Sequence, residues 1–123
     1  MTQKIAINTD YGGFAISDLA LEMLLALKNI EFETTESNSA FVEPTKSYWV
    51  KGHAKDDEYY INQYELCKDR ADIHLITVIE TLGKLANSNY ADIAIVEIPD
   101  NVKWHIHEYD GIEHVAENHR TWR

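Results

Sequence analysis

Basic residues and cysteine are what this chain is short of. Eleven Lys and Arg stand against 21 Asp and Glu, a formal charge of -10. That balance repels phosphate backbones and anionic headgroups, so a broad nucleic-acid-binding face is not expected. A local basic patch remains open, with Arg120 and Arg123 as its candidates. Cys67 is the single cysteine, which rules out an intrachain disulfide and a disulfide-stapled framework. Long hydrophobic runs are missing too. The longest apolar stretch, around Leu19 to Leu27, is interrupted by Glu22 and is too short to span a bilayer. The start, Met1 to Ile5, lacks the apolar core of a signal peptide. A cytoplasmic location with no membrane partner is the expectation. No internal repeat or low-complexity tract is visible.

What is present suits one folded unit. The length of 123 residues and the 45% hydrophobic content are enough for one core, so residues 1–123 read as a single α/β domain. Lys4 to Asn8 reads as a buried strand, followed by Gly12-Gly13 and a helix capped by Ser17. Leu19, Leu21, Leu24 and Leu25 make that helix largely buried. Residues 31–34 suggest a short edge strand, and 35–57 a long, mobile loop. Residues 58–66 fit a strand or a helix, with their aromatics tilting the choice to strand. A second helix is expected over Asp72 to Ala86. Ile93 to Ile98, apolar on both faces, reads as a central strand covered on both sides. Val102 to Tyr109 alternates and should pair antiparallel with that strand, while Glu113 to Trp122 carries no clear signal. The fold class is therefore α/β: one small mixed sheet of about four strands with two principal helices.

Three constellations carry chemistry. A strand, a Gly-Gly turn and a helix start form the arrangement in which backbone N–H groups hold an anion; the same pattern is simple turn geometry in many chains. This opening resembles the first strand and loop of sugar-phosphate isomerases of the ribose-5-phosphate isomerase B type, over about the first 20 residues. No matching cysteine context follows. His105 and His107, two apart on a strand, share a face and can supply two metal ligands, with Glu113, His114, Glu117 or His119 to complete a set. Plain surface histidines on an acidic protein are the favoured reading of the pair, and no metal or other cofactor is assigned. At the C-terminus, His119, Arg120 and Trp122 offer a guanidinium for phosphate and rings for stacking, or a tail that anchors Trp122 on the core or a neighbouring subunit.

Both ends of the chain resemble a family of small uncharacterised proteins encoded by phages and bacteria. The matching residues are Lys4 to Asn8, Gly12-Gly13-Phe14 and Ser17, then Val78 to Gly83 and Ile95 to Pro99. They continue through Glu108-Tyr109-Asp110-Gly111, Glu113, Val115, Glu117, His119-Arg120 and Trp122. Ala15-Ile16 departs from the family's usual Gly-Leu, and residues 31–68 look peculiar to this chain. The resemblance implies a phage or prophage setting and a shared site. Its expected ligand-binding residues are Asn8, Gly12, Gly13, Phe14, Tyr109, Asp110, Glu113, His119, Arg120 and Trp122, with no catalytic residue assigned. The function expected is a non-catalytic, homo-oligomeric accessory protein that sequesters a small anionic, nucleotide-like ligand, with a possible counter-defence role. The alternatives are a small hydrolase or nuclease-like enzyme using carboxylates and His119, and an acidic inhibitor that binds a host protein.

Overall fold

Ser17 and Asp72 each punctuate the chain where a helix begins, and the computed structural model is organised around those two starts. It describes residues 2–39, 42–89 and 91–118. In chain order these form β1 (Thr2–Asn8), α1 (Asp18–Leu27), β2 (Phe32–Ser39), β3 (Val42–Val50), α2 (Gln63–Leu66), α3 (Ile73–Leu82), β4 (Ile93–Pro99), β5 (Trp104–Tyr109) and β6 (Ile112–Glu117). Ser17 Oγ accepts from the Ala20 N–H at 3.2 Å, as an N-cap should. Asn29, at φ 58°, ends α1 in the left-handed region while Ile30 N–H closes back on the Leu25 carbonyl at 2.9 Å. Asp72 caps α3 through the His74 N–H at 2.9 Å, and Gly83 at φ 56° stops it.

α1 packs against α3, and α3 against β1. Leu24, Leu25, Leu75 and Val78 are fully buried between them, with Ala6 of β1, Ile16 and Tyr48 in the same cluster. Of the leucines that helical spacing placed on the inner face of α1, Leu21, Leu24 and Leu25 are buried, whereas Leu19, in the first turn, is 53% exposed; burying such side chains is worth roughly 1.5–3 kcal/mol each.

The architecture is α/β, but the strands depart from the expected sheet. They form three separate two-stranded antiparallel sheets, β1–β4, β2–β3 and β5–β6, rather than one mixed sheet of four. β1 runs antiparallel to β4 from Thr2↔Pro99 to Asn8↔Ile93. β5 pairs with β6, not with β4, because Asp110-Gly111 makes a two-residue turn with both φ positive, at 51° and 88°. That geometry matches the twist of a hairpin and closes the two strands on each other. β6 thereby organises part of the C-terminal segment that carried no sequence signal.

The expected loop at 35–57 is mostly a hairpin: β2 and β3 pair from Phe32↔Val50 to Ser39↔Val42. The short edge strand expected at 31–34 is the start of β2; from Thr35 to Ser47 the sequence is mostly polar, so no alternation announced the rest. The register slips between Ser37 and Ser39, opposite the stretch holding Pro44, where a missing N–H disturbs least. Residues 58–66 are no strand. A 3-10 turn at Asp57–Tyr59 leads to α2, with Asp56 and Asn62 as caps. β4, expected to be covered on both sides, is only half-buried from Ile93 to Val96, and no strand lies beyond it among the described residues.

Candidate functional site

Asn8 ends β1 with no exposure at all, an unusual place for an amide side chain. Both polar atoms of its side chain are used, and so is its backbone N–H. Its Nδ2 donates to the Asp10 and Gly111 carbonyls at 2.5 and 2.7 Å, and its Oδ1 accepts from the Asp92 N–H at 2.9 Å. Its own backbone N–H donates to Glu113 Oε1 at 2.9 Å. One side chain thus holds the β1–α1 loop, the start of β4 and the β5–β6 turn in one register.

Glu113 is the second buried polar residue, at 8% exposure. Arg70 grips it with both arms, Nη1 to Oε1 at 2.6 Å and Nη2 to Oε2 at 3.0 Å, a bidentate pair of the strongest geometry available to these groups. The guanidinium also lies over the Phe14 ring, 3.7 Å from its centroid, and Nη1 reaches the Ala6 carbonyl at 3.3 Å. Gly111 comes so close to the opposite loop that a Cβ there would sit 2.2 Å from the Tyr11 carbonyl oxygen and 2.6 Å from the Gly13 nitrogen. Only glycine fits. Glu108 Oε1 completes the turn by accepting from the Gly111 N–H at 2.7 Å.

Of the residues the sequence nominated, Asn8, Gly13, Phe14, Tyr109, Asp110 and Glu113 do come together at this junction, with Gly12 on the same loop. His119, Arg120 and Trp122 lie outside the described residues. The spacing of the Gly-Gly turn from the helix corrects one expectation. Gly12-Gly13 does not open α1, which begins at Asp18. Two of the intervening N–H groups are committed, Ile16 to Gln63 Oε1 at 3.0 Å and Ser17 to the Ala86 carbonyl at 2.8 Å. Glu113, considered as a carboxylate for hydrolysis, is tied up in its ion pair. Arg70 was missed by the sequence reading. Its signal was slight: one of only three arginines, in an acidic chain, two residues before the Asp72 cap.

Above the knot, the rim is open. Tyr11 and Tyr109 are 70% and 71% exposed, one on each of the two touching loops, flanked by Asp10 and Asp110. Among the described residues no group of three or more His, Cys, Asp or Glu is gathered as a metal site, and no helix is long and apolar enough to cross a membrane. No protein-family model matches the chain, and comparison with curated proteins and with solved structures gives no match either.

Proposed function

We propose that the protein is a non-catalytic binding module of the phage accessory type, and that its working surface is the rim where the β1–α1 loop meets the β5–β6 turn. The observation that carries this reading is the pair of exposed tyrosines, Tyr11 and Tyr109, on loops locked together by Asn8, Glu113 and Arg70. Tyrosines on a rigid support lose little conformational entropy when they bind, which is why they recur as anchors of recognition surfaces. The polar groups beneath are bonded to one another, so they serve as a support and not as acid or base.

Charge sets the partner class. Arg70 is neutralised by Glu113, and the rim itself carries Asp10 and Asp110 on a chain of net charge -10. A basic face on a protein partner complements that surface, and the association would be steered by charge and weakened by salt. The test is affinity capture from host extract with the wild type and with the Tyr11→Ala/Tyr109→Ala pair. A partner retained by the wild type, released by salt and lost by the variant supports the reading. Equal retention by both proteins overturns it.

A second reading, a small nucleotide-like ligand, is favoured by the same rings, since exposed tyrosines stack on bases. Its phosphate would depend on His119 and Arg120. Titration calorimetry against a nucleotide panel decides it, and heat from none of the nucleotides removes it. Homo-oligomerisation belongs to the same proposal. The half-buried Ile93 to Val96 stretch on β4, with no neighbouring strand among the described residues, is what supports it.

A further inference from the structure

Residues Ile93 to Val96 of β4 are all half-buried, whereas their partners on β1, Asn8, Ile7, Ala6 and Ile5, are 5% exposed or less. α3 packs on both strands, so the difference lies at the open side of β4. The hydrogen bonds show what that side offers. Ala6 and Asn8 turn their N–H groups away from β4, to the Arg70 carbonyl and Glu113 Oε1, while the Thr9 N–H donates to the Asp92 carbonyl. Antiparallel ladder bonds fall on alternate pairs, so Ala94, Val96 and Ile98 bond β1, and Ile93, Ile95 and Glu97 point their N–H and C=O groups outward. The Ile93 N–H is taken by Asn87 Oδ1 at 2.9 Å. Pro99, the next outward residue, has no N–H, and its carbonyl accepts from the Val102 N–H at 3.3 Å. Ile95 and Glu97 remain, each with a donor and an acceptor that no described group meets.

We propose that β4 pairs antiparallel with β4 of a second copy across a two-fold axis at Val96, joining two β1–β4 sheets into one of four strands. The inference rests on the homo-oligomer reading above and not on the tyrosine rim. In this register Ile95 meets Glu97 of the second copy and Glu97 meets its Ile95, so every N–H of these residues finds a carbonyl. The next rung sets Ile93 against Pro99, and both of its N–H positions are closed, by Asn87 and by the proline ring. An axis at Ile95 would instead set Ile93 against Glu97 and call on the N–H that Asn87 holds. The side chains agree with the Val96 axis. Val96 lies beside its own twin and Ala94 beside Ile98, apolar against apolar. Glu97, the one charged residue of β4, lies beside Ile95 and not beside its twin, with Lys4 as its neighbour on β1. An isologous contact of this kind closes at two copies and removes the exposed edge.

Sedimentation of the full chain at about 100 μM should show twice the chain mass. Glu97→Pro removes one outward N–H per copy and leaves the β1 ladder intact, so it should weaken the dimer about tenfold or more with an unchanged circular dichroism spectrum. Should that variant fail to fold, cysteine pairs decide. Facing residues of a non-hydrogen-bonded pair are close enough for a disulfide, so Val96→Cys should cross-link two copies under mild oxidation. Ile98→Cys, opposite Ala94, should not, and the native Cys67 is buried. A monomeric wild type overturns the proposal together with the homo-oligomer reading, and leaves the edge to a strand of another protein. A dimer of unchanged affinity in a folded Glu97→Pro, or one that cross-links through Ile98→Cys and not Val96→Cys, overturns this interface alone.

Discussion

The molecule carries two hairpins fastened to the body in opposite ways. β5–β6 is held by buried polar groups: Asn8 and Arg70 reach from the body into Gly111 and Glu113. β2–β3 is held at its base by apolar contact. Phe32 and Tyr48 rings meet at 5.4 Å, Tyr48 is 3% exposed in the core, and the Ile61 N–H closes on the Tyr48 carbonyl at 2.8 Å. A buried ion pair gives little net stability over an apolar substitute, but it is directional and fails badly when halved. An apolar base tolerates change and fixes orientation less strictly. The difference fits their positions, since the strictly oriented hairpin is the one that presents Tyr109 beside Tyr11.

Glu113→Ala should therefore have the largest effect, about 3–5 kcal/mol in denaturant unfolding, because it strands the Arg70 guanidinium and the Asn8 N–H. Replacing both partners, Glu113→Leu with Arg70→Met, should recover much of that loss; a double variant as unstable as the single would show that the pair itself stabilises the chain. Next comes Gly111→Ala, about 2–3 kcal/mol, since the new Cβ must push the turn off the Tyr11 loop at an unfavourable φ.

Asp72→Ala tests the segment that supplies Arg70, and should cost about 1–2 kcal/mol by removing the α3 cap and the 2.5 Å bridge to Lys28. Burial would raise the Asp72 carboxyl, but Lys28 and the His74 N–H outweigh it and hold it below its ordinary range. Its contribution is thus complete above the ordinary carboxylate range and is lost as pH falls through the folded-state value. Acid titration of stability should be shallower in Asp72→Ala than in the wild type. Tyr48→Phe should be mildest, about 1 kcal/mol, because only the 2.9 Å hydrogen bond to Glu22 disappears while the ring stays packed. Burial, and then that bond, raise the Tyr48 hydroxyl above its usual value. The wild type should accordingly lose stability as pH climbs past the ordinary tyrosine range, and Tyr48→Phe should lose less.

The two hairpins also differ in how they can be read from sequence. The resemblance marked Tyr109, Asp110 and Glu113, with Asn8 and the Gly12-Gly13 turn, as part of a site; the structure brings Asn8, Gly111 and Glu113 together as a fastening. Arg70 was invisible as their partner because an isolated arginine carries no periodicity. β2 and β3 were hidden for a different reason. Thr34, Glu36 and Thr45 are exposed, and the described residues that pack on the core, Phe32, Tyr48 and Val50, are confined to the base of the hairpin, so no long buried stripe marks the strands.

By itself, the sequence determined what local physics decides. Ser17 and Asp72 start helices and Asp110-Gly111 makes a turn, each through contacts a few residues away, and helical spacing sets Leu24 and Leu25 on one face of α1. Tertiary structure alone decided which strands pair and what Glu113 does. Pairing β1 with β4 joins residues more than 80 positions apart, and Arg70 meets Glu113 across 43. Such contacts depend on how the whole core closes, and neither propensity nor spacing records that closure.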